Sequence, residues 1–226
     1  MSSVQTEMNL IAFPHQQTNG LVSVDGKFFR LDGSLWPLRG LAYGPFGQNP
    51  DVDAFASKEQ TQIDFELIQS MGANTLRVYH VPPKWFMDMA SEHSLKLWVD
   101  IPWGQYHAFL DSKCERKQIR QEVRQIAQEI GNHPALFALC IGNEISSELI
   151  RWQGASKVSR FLDELADQVH QTRSSLLCTY GNYPSTEYLH LHEIDFLSYN
   201  IYLHDSDAMS RYLARLQLMA DGRPLV

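Results

Sequence analysis

Residues 132–144 read NHPALFALCIGNE, an apolar run that opens at Pro134 and ends at the polar pair Asn143-Glu144. A continuous apolar segment between a proline and a glycine is typical of a strand that is buried on both faces of a parallel sheet. Asn143 and Glu144 then lie at the carboxyl end of this strand. Because parallel α/β folds bind their ligands at the carboxyl ends of the strands, the pair is a candidate functional site.

Outward from this stretch, short apolar strands alternate with helical segments. The stripe Ile119, Val123, Ile126 and Ile130 has helical spacing, and Gly131 follows it as a predicted C-terminal cap. Strands separated by helices indicate a parallel sheet, so the sequence predicts an α/β fold, a (β/α)8 TIM barrel that is incomplete at about six and a half β/α units. The predicted strands are Leu38–Tyr43, Asn74–His80, Leu95–Pro102, Ala135–Asn143, Leu176–Tyr180, Asp195–Tyr202 and a start at Pro224.

The amino-terminal part departs from this barrel pattern. Residues 1–20 form a polar tail, and Leu21–Gly33 is predicted to be a β-hairpin that turns at Asp25-Gly26. Residues 21–226 then form one partial barrel domain, with the seventh strand only begun at its end. We expect that strand, and further domains, to continue past Val226. An incomplete barrel exposes strand edges, so self-association is also expected.

Side-chain alternation predicts which residues point into the barrel. Arg77 and Asp100 fall on the interior faces of the second and third predicted strands, near the mouth. In the fourth strand Ala138, Cys140, Gly142 and Glu144 share the interior side, while Phe137, Leu139 and Ile141 share the side of the helices. A buried arginine needs a carboxylate or other acceptors, which makes Arg77 a site candidate.

Composition and charge narrow the function classes. The chain has a net charge of -7, which argues against a nucleic-acid partner because phosphate binding needs a basic surface. Its three cysteines show no paired spacing, and His190 and His192 lack a third ligand, so neither a disulfide framework nor a metal site is predicted. No nucleotide-binding glycine motif occurs, and no cofactor is expected.

Targeting signals are not apparent in the sequence. No apolar stretch approaches the roughly 18 residues that a membrane span needs, and no secretory signal peptide is visible at the amino terminus. We therefore expect no membrane span in this chain and a cytoplasmic location.

The motifs resemble those of the retaining (β/α)8 glycoside hydrolases, in the large clan that contains families 2, 5 and 17, and most closely the family 2 catalytic domain. The resemblance is carried by Asn132-His133-Pro134 with Gly142-Asn143-Glu144, by Asn74–His80 in the second predicted strand, and by Asn200-x-Tyr202 in the sixth. It extends from near Phe29 to the last residue.

This resemblance implies roles for individual residues. Glu144 would be the general acid/base that protonates the leaving glycosidic oxygen and later deprotonates water. Asn143 would hydrogen-bond the sugar 2-hydroxyl, while Arg77 and Tyr202 would orient the nucleophilic carboxylate. The nucleophile of these families follows the seventh strand and is expected beyond Val226. Asp100 is the nearest acid in the chain, but it is expected to be a sugar ligand or a partner of Arg77.

Other residues at predicted strand ends complete the candidate substrate-binding set. Aromatic rings there can stack on sugars, which singles out Trp103, with Trp152 and Tyr43 as further candidates. Asn182 follows the fifth strand, where a turn is the alternative role. The remaining predicted substrate contacts are His80 and Asn200.

The predicted activity is hydrolysis or transfer of β-linked glycosides by a retaining two-carboxylate mechanism, with an oligo- or polysaccharide as substrate. This fragment alone is expected to be inactive. The alternative is a non-catalytic carbohydrate-binding or regulatory barrel of a larger glycan-synthesising protein, because one fold serves many functions.

Overall fold

A computed structural model of the chain describes residues 20–47 and 54–226. The predicted tail therefore lies outside the described residues, except for Gly20. The first described elements are the strands β1 (Val22–Asp25), β2 (Phe28–Leu31) and β3 (Ser34–Leu35), which form an antiparallel sheet in that order. Asp25 pairs with Phe28, so the hairpin turns at Gly26-Lys27, one residue later than predicted, and Gly26 has a φ of 56°.

The second sheet has six parallel strands in sequential order. They coincide with the six complete strands predicted from the apolar runs, which confirms the α/β fold with a parallel sheet. Leu197 also forms a single parallel bridge with Leu225, at the predicted start of a seventh strand. The strands are β4 (Gly40–Ala42), β5 (Thr75–Val78), β6 (Lys96–Asp100), β7 (Leu136–Asn143), β8 (Leu177–Asn182) and β9 (Ser198–Tyr199).

Helices connect these strands and cover the outside of the sheet. They are α1 (Lys58–Ser70), α2 (Lys84–Glu92), α3 (Lys113–Ile130), α4 (Ser147–Gln153), α5 (Ala155–Thr172) and α6 (Ser206–Met219). Ser57, Ser112, Ser146 and Asp205 each accept a backbone hydrogen bond as the N-cap of a helix, which satisfies donors that the first turn leaves open. None of the helices in the described part of the chain is long and apolar enough to cross a membrane.

The interior face of β7 differs from the simple alternation. Phe137 was predicted to face the helices, and this prediction is wrong: it packs in the interior cluster with Ala138 and Cys140. Leu97 pairs with Leu136 and Trp98 with Ala138, so Phe137 is an extra residue at a β-bulge. Beyond the bulge, Leu139 and Ile141 pack on the side of the helices, as predicted, and a second irregularity follows between Cys140 and Asn143.

The small antiparallel sheet covers the interior at the amino ends of the parallel strands. Phe29 of β2 packs edge-on against Phe137 and Phe196, each with ring centroids 5.2 Å apart. Nearby, the buried Lys96 donates to the backbone oxygens of Gly20 and Pro134. The amino end of the interior is thus filled with side chains, which leaves the opposite, carboxyl end for a site.

Candidate active site

Arg77 and Asp100 form a buried ion pair between neighbouring strands. Nε and Nη2 of Arg77 donate to the two carboxylate oxygens of Asp100 at 3.0 and 2.8 Å, and the two side chains are 11% and 7% exposed. The guanidinium also lies 4.7 Å from the ring centroid of Trp98. Burial raises the pKa of Asp100, and the hydrogen bonds from Arg77 oppose that shift. The arrangement confirms the interior positions that alternation predicted for both residues.

Two asparagines complete the network around Arg77. Nη2 of Arg77 donates to Oδ1 of Asn143 at 2.7 Å, and Nη1 donates to Oδ1 of Asn200 at 2.8 Å. Nδ2 of Asn200 donates in turn to Oδ1 of Asn143 at 2.8 Å. Since the Asn143 oxygen accepts both of these bonds, its amide NH2 is the group that remains to donate to a ligand.

Gly181 of β8 has no side chain, and the Arg77 network occupies the space where one would lie. A Cβ atom at position 181 would lie 2.4 Å from Oδ1 of Asn143 and 2.8 Å from Nη2 of Arg77. Both distances are far inside van der Waals contact, so any larger residue there would displace the network. The sequence analysis did not single out this glycine.

Glu144 follows β7 directly and projects from the carboxyl end of the sheet. Its backbone has a φ of 49°, which is uncommon for a residue other than glycine, and its N–H donates to the Gly181 oxygen at 2.8 Å. The hydroxyl of the exposed Tyr202 donates to Oε1 of Glu144 at 2.8 Å. That hydrogen bond raises the pKa of Tyr202, because ionising the hydroxyl would remove it.

Of the nine predicted site residues, six are joined in this arrangement, one lies beside it and two lie elsewhere. Glu144, Asn143, Arg77, Asp100, Asn200 and Tyr202 are joined by the contacts above. His80 is half-buried just after β5. Trp103 and Asn182 lie elsewhere.

Trp103 was predicted to stack on a sugar, but the loop after β6 turns its ring into the core beneath the helices. The residue is 5% exposed, its ring packs edge-on against Phe109, and its Nε1 donates to the Ile141 oxygen at 2.7 Å. Tyr43, a further stacking candidate, is also buried, and its hydroxyl donates to Asp64. Trp152 is 77% exposed on α4.

Asn182 adopts the turn role that was its alternative. Its Oδ1 accepts from the backbone N–H of Tyr183 and from the hydroxyl of Thr186, and the residue is buried. The short helix that follows begins at Pro184. The side chain therefore stabilises the turn after β8.

Gln105 belongs to the site although the sequence analysis missed it. Its side chain bonds to the backbone of Asn143 through both of its polar atoms. The sequence feature that could have identified Gln105 is its position on the loop after a predicted barrel strand, where polar residues are candidates for a site. In residues 20–47 and 54–226, no cluster of three or more His, Cys, Asp or Glu side chains could hold a metal ion.

No known protein-family model matches the chain. A beta-glucuronidase of Bacteroides fragilis is 26% identical over 125 residues, which are 53% of this chain and 18% of that protein. A protein of Formosa agariphila that is also named as a beta-glucuronidase is 29% identical over 147 residues, which are 63% of this chain and 17% of that protein. The aligned regions thus span less than a fifth of the curated relatives. Both relatives are family 2 glycoside hydrolases, which confirms the resemblance inferred from the motifs.

Solved structures show the same fold at lower identity. The beta-glucuronidase 2 of Bacteroides uniformis, covalently bound to cyclophellitol-6-carboxylate aziridine, matches with a TM-score of 0.74 and 19% identity over 91% of this chain and 26% of its own. The beta-glucuronidase of Ruminococcus gnavus, in complex with a C6-substituted uronic isofagomine, matches with a TM-score of 0.72 and 15% identity over 92% of this chain and 37% of its own.

Proposed function

We propose that this chain forms part of the catalytic domain of a retaining β-glycosidase, with Glu144 as the general acid/base. The observation that carries the proposal is the position of the Glu144 carboxyl: it projects at the carboxyl end of β7, beside the Arg77 network and hydrogen-bonded to Tyr202. This is the end of a (β/α)8 fold at which catalytic side chains collect. The family 2 relatives support the same reaction class.

Each side chain has a defined part in the proposed reaction. As the bond between C1 and the glycosidic oxygen breaks, Glu144 donates its proton to that oxygen, and a nucleophilic carboxylate bonds to C1. Glu144 then takes a proton from water, whose oxygen bonds to C1 and releases the carboxylate. The Asn143 NH2 group donates to the sugar 2-hydroxyl, a contact that strengthens in the transition state.

The nucleophilic carboxylate is proposed to come from outside the described residues. Asp100 is poorly suited to that role, because both of its oxygens accept hydrogen bonds from Arg77 and the side chain is only 7% exposed. A carboxylate held in this way is a weak nucleophile and orients Arg77 instead. Arg77 can orient an incoming carboxylate with the guanidinium N–H that the four bonds above do not use, and Tyr202 can do so when its hydroxyl leaves Glu144.

β-Glucuronides are the proposed substrate class. Both curated relatives are named for that activity, and one structural relative is covalently bound to a carboxylate-bearing cyclophellitol aziridine. Aryl β-glucuronides therefore head the panel of substrates, followed by aryl β-galactosides, β-glucosides and β-mannosides.

The test compares Glu144→Gln with Glu148→Gln in the full-length natural protein. Glu148 is the matched control, because it is an exposed glutamate on α4 whose partners, Ser147 and Arg151, lie outside the network. For an aryl glycoside with a poor leaving group, we expect E144Q to lower kcat by about 10²- to 10⁴-fold and E148Q to leave it unchanged. With an activated aryl glycoside, added azide should restore turnover to a Glu144→Ala variant, because azide attacks C1 of the glycosyl-enzyme in place of water, needs no general base and leaves as the glycosyl azide.

Two results would overturn the proposal. The first is an E144Q variant that hydrolyses poor leaving groups as fast as the wild type. The second is a wild-type protein that binds glycans but turns over none of the panel, which would favour the carbohydrate-binding alternative.

A further inference from the structure

The backbone that carries Glu144 is held by the side chain of Gln105. Nε2 of Gln105 donates to the Asn143 backbone oxygen at 2.7 Å, and Oε1 accepts from the Asn143 N–H at 2.9 Å. The glutamine is only 6% exposed. A single buried amide therefore satisfies both polar groups of the residue that precedes Glu144.

This amide takes the place of a missing strand. β6 ends at Asp100, which pairs with Cys140, whereas β7 continues to Asn143. The ladder between β7 and β8 is also irregular between Cys140 and Asn143. The last residues of β7 would thus lack a partner strand on the β6 side, and the Gln105 side chain supplies the donor and the acceptor that a peptide group would have supplied.

Gly142 allows Gln105 to approach. A Cβ atom at position 142 would lie 3.1 Å from Oε1 of Gln105 and 3.4 Å from Cζ2 of Trp103, tight enough to force the loop outward. The buried Trp103, which donates to the Ile141 oxygen, fixes the same loop to β7. The close approach of the Gln105 loop to β7 therefore explains why the Gly-Asn-Glu motif begins with a glycine.

The other side of Glu144 is held as well. Its own N–H bonds to the Gly181 oxygen, and the N–H of Ile145 donates to the Tyr180 hydroxyl at 3.1 Å. These contacts fix a left-handed backbone at Glu144, which a residue with a side chain adopts only at a cost in conformational energy. A conformation with that cost persists only where its surroundings hold it in place.

We infer that Gln105 is a positioning residue for the acid/base: it fixes the backbone of Asn143, and through it the direction in which the Glu144 carboxyl points. The inference rests on the proposed function. Gln105 acts through Asn143 and has no part in proton transfer. Its loss should therefore affect the step that needs a well-placed acid and leave sugar binding largely intact.

The test uses Gln105→Met, which keeps the length of the side chain and removes both hydrogen bonds. Gln153→Met is the matched control, because Gln153 is also 6% exposed and bonds to the loop at the Leu110 N–H, away from Asn143. Both variants are made in the full-length natural protein and assayed on aryl glycosides that differ in the acidity of the phenol released. Thermal unfolding of both variants records the cost in stability.

For Q105M we expect kcat to fall about 10- to 100-fold with a phenol leaving group, with little change in KM. For a 2,4-dinitrophenyl glycoside, kcat/KM should stay near the wild-type value, because kcat/KM reports formation of the glycosyl-enzyme and that leaving group needs no proton. Its kcat should fall, since Glu144 must still take a proton from the attacking water. The dependence of kcat/KM on leaving-group acidity thus becomes steeper in Q105M. In Q153M it stays as in the wild type.

A Q105M protein that folds and shows the wild-type dependence on the leaving group would overturn the inference. So would an equal fall in kcat/KM for every substrate in Q105M, which indicates general damage to the fold. A wild-type protein that cleaves none of the glycosides would refute the proposed function, and the inference would fall with it.

Discussion

At the scale of the residue, Arg77 is the centre of the site. Its guanidinium makes four hydrogen bonds, to both oxygens of Asp100 and to the side-chain oxygens of Asn143 and Asn200. The planar fork of arginine suits such a set, whereas the point charge of a lysine does not. Asn143 directly precedes Glu144 in the chain. The position of the Glu144 carboxyl therefore depends on the Arg77–Asp100 ion pair, although that pair does not contact it.

Gly181→Ala should disrupt this network without removing any polar group. The new Cβ atom would lie within 3 Å of Asn143 and Arg77, so both side chains must move. A displacement of about 1 Å can cost about 100-fold in rate, and we expect a loss of that order in kcat on aryl glycosides.

Gly40→Ala is the control for this substitution. Its Cβ atom would meet its nearest neighbours at 3.4 to 3.6 Å, which is ordinary van der Waals contact. We expect G40A to keep the wild-type kcat. Equal activity of G181A and G40A would show that the Arg77 network does not position the site.

Sequence reasoning succeeded for residues within strands and was weaker in loops. Arg77 and Asp100 were found because strand alternation fixes the face on which a side chain lies, and Asn143 was found because it ends a buried strand and belongs to the Gly-Asn-Glu motif. Trp103 was misplaced and Gln105 was missed because both lie on the loop after β6, whose path depends on packing against β7. No periodic signal describes a loop of that kind.

At the scale of the element, one extra residue changed the face of a strand. The bulge at Phe137 places two consecutive residues of β7, Phe137 and Ala138, toward the interior. The sequence pattern could not show this, since Leu136, Phe137 and Leu139 are all apolar and suit either side. The place of Asn143 and Glu144 at the carboxyl end of the strand was still predicted correctly, because a bulge changes the face of a side chain and not the end at which the strand stops.

The carboxyl end of α5 is tied to the sheet by a pH-sensitive pair. Nε2 of His170, in the last turn of α5, contacts Oδ2 of Asp195 at 2.9 Å, and that oxygen also accepts from the Cys178 N–H of β8. The hydrogen bond to Asp195 raises the pKa of His170 above its usual value. A protonated histidine at this end of a helix is further stabilised by the helix dipole.

His170→Ala should change how stability depends on pH. The folded protein binds the His170 proton more tightly than the unfolded chain, so the stabilisation is complete below pH about 6.5 and is lost as pH rises through the folded pKa. We expect the wild type to exceed H170A by about 1 kcal/mol more at pH 5.5 than at pH 8.5, measured by urea unfolding.

The exposed His190 offers a control, since H190A should follow the wild type at both pH values. A difference between wild type and H170A that is the same at both pH values would mean that the pair does not titrate in this window.

At the scale of the whole molecule, the small antiparallel sheet closes one end of the barrel interior. Phe29 contacts the rings of Phe137 and Phe196 there, whereas its neighbour Phe28 is 59% exposed. Phe29→Ala should lower the free energy of unfolding by about 3 to 5 kcal/mol, because it opens a cavity between the two sheets. Phe28→Ala should change it by about 0.5 kcal/mol or less.

Denaturant titration of the two variants separates these outcomes. Similar midpoints for F29A and F28A would indicate that the antiparallel sheet is an independent attachment rather than part of the core. Self-association of the chain and its cytoplasmic location stay predictions, which sedimentation and fractionation can test.

The hydrogen bonds of Arg77 also order events during folding. Its partners lie 23, 66 and 123 positions further along the chain. The contact with Asn200 closes by far the largest loop, and contacts of such long range form slowly because their loop-closure entropy is paid before they add any stability. A nascent or partly refolded chain would therefore hold a nearly complete sheet before it holds this constellation. The geometry of the candidate site is then a late product of folding, and we expect partly folded forms to lack the proposed activity.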